Sequence, residues 1–125
     1  MIVEKPFRIG ATIRELLMSS PKVREVVGDR VYPYTTQVDV IDKPHIVYDG
    51  IVVNFSSSKD GEYPETITMS IGCNTIDYPQ GIDLAEAVID VFEDHQDIEV
   101  TEASADYDAG AMMFTHSITI NIVTE

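Results

Sequence analysis

Apolar residues recur at helical spacing in three segments of the chain. Residues 7–18 and 79–95 each carry one apolar face at a period of about 3.6, which predicts two amphipathic helices. The Ser-Pro pair at residues 20–21 is a typical helix start, and Gly28 suits a left-handed stop. A short helix is therefore predicted over residues 21–27.

Strands are predicted where apolar residues alternate with polar ones or where β-branched residues cluster. Residues 66–74 alternate strictly, which indicates a strand with one buried face. Residues 45–55 are rich in β-branched and aromatic residues, with Gly50 placed to form a bulge. The Asp-Gly pair at residues 60–61 favours a hairpin turn between these strands, and the serines at 56–58 suggest a longer, mobile tip.

A second hairpin is predicted from residues 98–107 and 111–123, with its turn at residues 108–110. The buried face of its last strand is expected to carry Met112, Phe114, His116, Ile118, Ile120 and Ile122. The elements then follow the order helix, helix, extended arm, hairpin, helix, hairpin. This order predicts one α+β domain over residues 1–125, with an antiparallel sheet of two hairpins and helices packed on one face.

The extended arm lies between the second helix and the first hairpin, in the stretch VGDRVYPYTTQVDVIDKPHIVY. Pro33 and Pro44 disfavour helix at the residues before them, and no clear period runs between the two prolines. Loops of about a dozen residues are uncommon in compact domains unless they serve a function. A functional role is therefore expected for this segment.

Acidic residues far outnumber basic ones, with 22 Asp and Glu against 8 Lys and Arg and a formal net charge of -14. Proteins that bind nucleic acids place Lys and Arg on phosphates, and this chain has no basic run. Neither specific nucleic-acid binding nor membrane adsorption is therefore expected. No apolar stretch approaches the roughly 18 residues of a membrane span, and no secretion signal is recognisable, so we expect a reducing cytoplasm.

The three histidines are the first candidates for catalysis or metal binding. His116 falls on the apolar face of the last strand and is expected to be a core or sheet-end residue. His95 has acidic neighbours within residues 93–97, which could sketch a metal site, but residues this close in sequence do not share one helix face. A solvated position at the end of the helix is therefore expected for His95, and an exposed position for His45.

Cys73 continues the buried alternation of its strand, has no basic neighbour in sequence, and is expected to be a core residue. A single cysteine also excludes an internal disulfide. The chain contains no serine elbow, no phosphate-binding glycine loop and no Cys/His ligand spacing. The sequence thus predicts a protein that is not an enzyme and uses neither a cofactor nor a metal.

The third helix is predicted to carry an acidic stripe formed by Asp83, Glu86, Asp90, Glu93 and Asp97. Such a stripe is usually a solvated face. Here it has no Lys or Arg at a spacing of three or four residues, so its like charges repel. Two further interpretations remain: the stripe faces basic residues of a neighbouring subunit, or it lines an acidic channel.

Three stretches carry a resemblance to a known family. They read VREVVGDRVYPY, KPHIVYDGIVV and TITMSIGCNTIDYPQGIDLAEAVIDVF. With these motifs the chain resembles the tail completion proteins of long-tailed bacteriophages and prophages, also called tail terminator or head-tail joining proteins. The matching positions are residues 27–33, 44–48, 66–74 and 82–92, and the resemblance extends over about residues 8–122.

The resemblance implies a structural virion protein without catalytic activity. Proteins of this family form rings, commonly hexameric, that cap the finished tail tube and join it to the head connector. The expected partners are copies of the chain itself, the tail tube protein and the head connector protein. The expected location is the virion tail, after assembly in the cytoplasm of the host bacterium. DNA would pass through the ring without specific binding.

The ring gives the extended arm two possible roles. In one, Val31, Tyr32 and Tyr34 lie across a neighbouring subunit and bury the two tyrosines, since aromatic side chains are favoured at interfaces. In the other, the arm is an edge strand packed on its own subunit. The tip of the first hairpin is expected to be a docking loop, formed by Ser57, Lys59, Asp60, Gly61 and Glu62.

Other functions stay open at this stage. Within the virion, the chain could be another head-tail connector, a neck component or a tail-tube component. Outside the virion, it could be a small acidic enzyme that uses His116 or His95 with nearby carboxylates. A third alternative is a DNA mimic that inhibits a basic host protein.

Overall fold

Three helices and five strands make up the part of the chain that the structure, a computed structural model, describes, which is residues 6–35, 42–58 and 61–124. A 3-10 turn at Pro6–Arg8 comes first. The helices are α1 (Ile9–Met18), α2 (Pro21–Val27) and α3 (Tyr78–Glu93). The strands are β1 (Val31–Pro33), β2 (His45–Ser58), β3 (Gly61–Thr75), β4 (Ile98–Asp108) and β5 (Met113–Val123).

The five strands form one sheet in the order β1-β2-β3-β5-β4. Neighbouring strands from β2 to β4 in this order are antiparallel, as two hairpins require. The predicted antiparallel sheet of two hairpins is thus confirmed. β1 adds a strand that runs parallel to β2, so the sheet as a whole is mixed. β1 is only three residues long, too short to show a period in the sequence. The α+β class itself is confirmed.

The extended arm begins as this edge strand of its own sheet. The Ile46 N–H donates to the Arg30 carbonyl at 2.9 Å. The Arg30 guanidinium donates to the Pro44 carbonyl at 2.7 Å, and Arg14 of α1 donates to the carbonyls of Val31 and Asp29 at 3.2 and 3.0 Å. Two cations thus hold the first part of the arm in place by bonding to backbone oxygens.

All three helices lie on one face of the sheet, as predicted, and the core fills the space between. The strand residues buried there include Ile67, Met69, Ile71, Cys73, Ile118, Ile120 and Ile122. Met112 was expected in this set, but its side chain is 68% exposed. Met112 lies in the turn before β5, with φ 56°, and the strict alternation of buried side chains begins only at His116.

The helix ends follow the signals in the sequence. Ser20 caps α2 by accepting from the Val23 N–H at 3.3 Å, and Gly28 ends it with φ 61°. Asp77 caps α3 by accepting from the Gln80 N–H at 3.1 Å. Gly50 has φ 64° and lies where the register between β2 and β3 shifts, so the predicted bulge is confirmed.

His45 is buried, so its expected exposed position is wrong. The residue opens β2 where that strand lies between β1 and β3, and its Nδ1 is 2.7 Å from the Lys43 carbonyl oxygen. The neighbouring strands therefore cover a side chain that the sequence places at an open strand end.

The two ends of the sheet differ in shape. We call the end where Thr75 pairs with Phe114 the top, and the end where Thr66 pairs with Val123 the bottom. α3 begins at the top, where β4 and β5 also turn. The β2–β3 hairpin continues past the bottom, since its pairing extends to Ser58 and Gly61. The top therefore carries the start of α3 and the β4–β5 turn, whereas the β2–β3 hairpin projects past the bottom.

Candidate functional site

The sheet face opposite the helices presents small, uncharged polar side chains on its central strands. These are Thr66, Thr68, Ser70, Asn74, Thr115, Ser117, Thr119 and Asn121. Several bond to one another: the Thr68 hydroxyl donates to Asn121 at 3.4 Å, and the Thr115 hydroxyl donates to Asn74 at 2.7 Å. The central strands β3 and β5 are therefore uncharged on this open face. The strands beside them add carboxylates to the same face, with Asp49 on β2 and Glu99, Glu102 and Asp106 on β4.

A row of aromatic rings lies at the top of the sheet. Tyr107 of β4 is 4.9 Å from Phe114 of β5, measured between ring centroids. Phe114 is 5.1 Å from Tyr78 at the start of α3, and Tyr78 is 5.7 Å from His116. Tyr78 and Tyr107 are each about half exposed, while His116 is buried. We call these four residues the aromatic row; exposed rings of this kind are typical of protein contact surfaces.

His116 ends the aromatic row inside the protein, which confirms its expected core or sheet-end position. Its side chain is 8% exposed, and neither ring nitrogen has a hydrogen-bond partner among the described residues. Buried polar groups in native proteins almost always have a partner, so this imidazole calls for an explanation.

Beside His116, a groove of about 240 Å³ separates α3 from β4. Ala85 and Ile89 of α3 form one wall, and Ala103 and Ala105 of β4 form the other. These β4 side chains are too small to fill the gap, and the strand is exposed from Thr101 to Asp108. The α3–β4 groove is thus an apolar recess at the outer edge of the sheet.

The proposed interface residues of the arm have different environments. Val31 is 2% exposed and belongs to the core of its own chain, so this side chain is not available to a neighbouring subunit. Tyr32 is half-buried, and its register with Val47 places it on the open face. Tyr34 is 56% exposed with φ 62°, and its hydroxyl accepts from the Ile51 N–H at 3.3 Å. Only the two tyrosines remain candidates.

The predicted docking loop is largely strand. Ser57 pairs with Glu62, and Ser58 with Gly61, so the hairpin arms reach the turn and the longer tip expected from the serines is wrong. Lys59 and Asp60 lie outside the described residues. The docking surface proposed here is therefore the end of a projecting hairpin.

The acidic stripe keeps its predicted place on α3. Asp83, Glu86, Asp90 and Glu93 are exposed, whereas Asp97 lies beyond the helix end and is half-buried. Lys22 of α2 lines a groove of about 290 Å³ together with the first three of these residues. A cation remote in sequence therefore comes close to the stripe, which spacing along the helix alone could not reveal.

The side chains considered for catalysis do not converge. His95 is half-buried and lines a shallow groove with Asp90, Asp94 and Lys22, apart from the aromatic row that holds His116. Burial raises the pKa of the Cys73 thiol to about 12, so this core cysteine is a poor nucleophile. Within the described ranges, no three His, Cys, Asp or Glu residues are grouped so that they could hold a metal ion.

Charge divides sharply along the chain and across the fold. Residues 1–60 contain all 8 Lys and Arg, together with 8 acidic residues. Residues 61–125 contain 14 acidic residues and no Lys or Arg, so the whole net charge of -14 comes from this half. It includes β3, α3, β4 and β5, whereas the described cations lie on the 3-10 turn, on α1 and α2, and in the segments just before β1 and β2. The elements after residue 60 are therefore strongly acidic, whereas residues 1–60 carry no net charge.

The fold is shared with a chain of a solved virus-like particle. The chain superposes on a chain of the virion of a native gene transfer agent particle with a TM-score of 0.78. The match covers 97% of this chain and 98% of that chain, at 16% sequence identity. This likeness establishes a common fold. No family profile and no curated protein sequence matches the chain.

None of the helices in the described part of the chain combines the length and the hydropathy of a membrane span.

The aromatic row and the α3–β4 groove are features that sequence reasoning missed. Tyr78, Tyr107 and Phe114 come from three different elements. The register of β4 with β5 brings Tyr107 to Phe114, and the position of the start of α3 over the sheet brings Tyr78 to Phe114. The single local signal was an unusual number of small side chains in residues 103–105 of a predicted strand.

Proposed function

We propose that this chain is a structural protein of a bacteriophage-like particle and, within that class, a tail terminator or tail completion protein. The observation that carries the proposal is the fold shared with a virion chain over almost the full length of both chains. The sequence resemblance at residues 27–33, 44–48, 66–74 and 82–92 points separately to tail terminators. A sequence pattern and a fold thus support the same class of protein.

In this proposal the chain acts by self-association and end-to-end docking, with no bond made or broken. Copies form a ring, hexameric as the resemblance implies, which caps the tail tube and joins it to the head connector. The two ends of the sheet suit two different partners. The bottom offers the projecting β2–β3 hairpin with the predicted docking residues, and the top offers the exposed part of the aromatic row.

The charge of the chain suits a ring that lets DNA pass. Carboxylates repel phosphate over a Debye length of about 8 Å at physiological salt. An acidic or neutral wall would therefore leave DNA free to move through the bore, whereas Lys and Arg would hold it. The acidic stripe on α3 meets this requirement, and so does the open face, which is uncharged on β3 and β5 and acidic on β4.

The proposal is tested by producing particles without this protein and examining them by electron microscopy. For a terminator we expect overlong tube polymers, or finished tails that fail to join heads, and restoration when the gene is supplied on a plasmid. Normal tails attached to heads would refute a tail role altogether.

The same images separate the terminator from its nearest alternative, a head-tail connector or neck component. Loss of a connector would leave tails of normal length and heads with an incomplete or leaking portal vertex. Purified protein gives a second distinction, since a terminator binds the ends of isolated tail tubes and a connector binds heads.

A further inference from the structure

The sheet has two edge strands of different kinds, β1 and β4. β1 is three residues long, whereas β4 has eleven residues and is exposed from Thr101 to Asp108. An edge strand presents a row of backbone N–H and C=O groups on which another chain can pair. Whether an edge is open to such pairing depends on the partners that its outward backbone groups already have.

The outer side of β1 is closed to another strand. Its outward backbone groups are those of Val31 and Pro33, since the residues between and beside them bond to β2. The Val31 N–H donates to the Asp29 carbonyl at 2.9 Å, and the Val31 carbonyl accepts from Arg14 at 3.2 Å. Pro33 has no N–H, and its carbonyl accepts from the Thr35 N–H at 2.6 Å. The chain itself thus uses the outward donors and acceptors of both residues.

The outer side of β4 is open around Ala103 and Ala105. The Val123 N–H donates to the Asp97 carbonyl at 2.8 Å, which fixes the phase of the hydrogen bonds between β4 and β5. Bonded and non-bonded pairs alternate along β5, which places Ser104 in a bonded pair and the two alanines in non-bonded pairs. The N–H and C=O groups of both alanines therefore point away from the sheet. Among the described residues, β4 pairs with no strand other than β5.

This open stretch has a limit at each end. A register shift between Val100 and Glu102 forms a bulge at one end, and the Tyr107 N–H donates to the Asp106 carboxylate at 2.8 Å at the other. A bulge is one of the features by which proteins protect an exposed edge. Between these limits no proline or lysine protects the strand. A short extended segment can therefore pair there.

Another copy of β4 is a poor partner for this edge. In an antiparallel pair centred on Ser104, Glu102 of each copy would lie opposite Asp106 of the other. In a pair centred on Ala105, Glu102 would lie opposite Asp108. Like charges directly opposite each other destabilise a sheet. Since the outward groups of β1 are already used, the two edges of this chain do not complete one another either.

The two faces of β4 define the side chains that a paired strand should carry. On the open face, Glu102 and Asp106 lie on either side of Ser104, so Lys or Arg is favoured beside them. On the helix face, Ala103 and Ala105 are small and border the α3–β4 groove, so larger apolar side chains are favoured there. Side chains of a strand alternate between the two faces, so the favoured pattern alternates basic with apolar residues.

We propose that the outer edge of β4 is a docking site for an extended segment of another protein, in which basic residues alternate with apolar ones. The segment bonds to the backbone of Ala103 and Ala105 and pairs its cations with Glu102 and Asp106. Strand addition gains affinity from main-chain hydrogen bonds and specificity from alternate side chains. The site itself does not depend on the proposed function, whereas the assignment of the partner to the same particle rests on it.

A synthetic peptide of alternating lysine and valine tests the site on the full-length protein. Near saturation it should slow the amide hydrogen exchange of Ala103 and Ala105, followed by NMR, about tenfold or more. Without peptide, both amides should exchange faster than that of Ser104, which bonds to β5. A peptide with glutamate in place of lysine, and a lysine peptide with methylated backbone amides, are the controls that should not bind.

Proline at an outward position separates docking from folding. Ala105→Pro removes an N–H that points away from the sheet, and proline is tolerated on the outer side of an edge strand. This variant should therefore fold and bind the lysine peptide about 5–10-fold more weakly, the usual effect of one lost hydrogen bond. Ser104→Pro is the opposite control, because it removes an N–H that bonds to β5 and should unfold at lower urea concentration.

Exchange of the charge at the edge tests the chemistry of the partner. Glu102→Lys with Asp106→Lys should reverse the preference, so that the glutamate peptide binds and the lysine peptide does not. Asp83→Lys with Asp90→Lys makes the same change in net charge on α3 and should keep the preference for the lysine peptide. An equal loss in both variants would mean that net charge alone attracts the peptide, and it overturns the site.

The remaining outcomes also decide. The docking site is overturned if the lysine peptide does not bind, or if it binds Ala105→Pro as tightly as the wild type. Wild-type chains that associate in sedimentation velocity and lose this association in Ala105→Pro would make a second copy the occupant, which overturns the proposed partner. If Ala105→Pro unfolds, the charge exchange decides instead. None of these results bears on particles made without the protein, which decide the proposed function separately.

Discussion

Gly81 of α3 lies directly against the imidazole of His116 on β5. A Cβ atom at position 81 would lie 2.8 Å from both Cε1 and Nδ1 of the ring, and 2.7 Å from the hydroxyl oxygen of Thr75. The missing side chain thus lets the first turn of α3 pack closely on the top of the sheet. Because the ring of His116 also lies next to that of Tyr78, this contact helps to position the aromatic row.

Replacement of this glycine should destabilise the protein. In a helix without such a contact, Gly→Ala stabilises by up to about 1 kcal/mol. For Gly81→Ala we expect instead a loss of about 1–3 kcal/mol in the free energy of unfolding, measured in urea, because the added methyl group overpacks the site. His116→Ala in the same background should recover part of the loss. A more stable Gly81→Ala variant would contradict the close packing.

The two buried histidines should respond differently to the same substitution. His116 has no hydrogen-bond partner to lose, so His116→Leu is expected to change the free energy of unfolding little or to raise it. His45→Leu leaves the Lys43 carbonyl without the ring nitrogen now 2.7 Å away and should cost about 1–3 kcal/mol. Each variant serves as the control for the other in denaturant unfolding. Equal losses would show that His116 has a partner in solution.

The stability of the fold should decrease at high pH because of Cys73. Burial raises its pKa from 9.0 to about 12 in the folded chain, so the unfolded thiol ionises first. Between about pH 9 and 12 the unfolded state therefore gains stability, at up to about 1.4 kcal/mol per pH unit for one group. Urea unfolding at several pH values measures this slope, and Cys73→Ala should remove that contribution. If both proteins give the same slope, Cys73 does not titrate as its burial requires.

The tyrosines of the arm remain candidates for the subunit contact. Tyr32 lies on the open face of the edge strand β1, and Tyr34 follows that strand directly. Tyr32→Ala with Tyr34→Ala should weaken assembly in sedimentation experiments while the fold is kept, because two partly exposed rings are lost from the interface. Tyr32→Phe with Tyr34→Phe is the control that retains the rings. Assembly of normal strength in the alanine variant would mean that the arm only packs on its own subunit.

Local signals in the sequence predicted the helices well. α2 spans Pro21–Val27 as expected, because a serine cap and a terminal glycine act within a few residues of the helix they delimit. The alternation in β3 likewise revealed its buried face, since the period of a strand is visible in a single segment. These features depend on neighbours in sequence, which is why one chain sufficed to predict them.

Features that depend on pairing were not predictable in the same way. β1 joins the sheet through three residues that pair with β2, and the burial of His45 follows from that pairing. The aromatic row needs the register of β4 with β5, and the α3–β4 groove needs the position of α3 over the sheet. No spacing rule along the chain contains this information. The candidate site therefore emerged from the tertiary structure, whereas its acidic character was readable from composition.

Neutralising part of the acidic stripe should raise stability and change contact with DNA. Asp83, Glu86 and Asp90 are exposed like charges three and four residues apart on α3, and such pairs destabilise a helix by about 0.2–0.5 kcal/mol each. Asp83→Asn with Asp90→Asn is therefore expected to unfold at slightly higher urea concentration.

Asp83→Lys with Asp90→Lys should in addition retain duplex DNA on a filter at low salt, where the wild type retains none, and lose it as salt rises. Glu99→Lys with Glu102→Lys gives the same change in net charge on β4. If both lysine variants bind DNA equally, total charge alone keeps DNA away; if neither binds it and the asparagine variant is no more stable, the stripe is an ordinary solvated face.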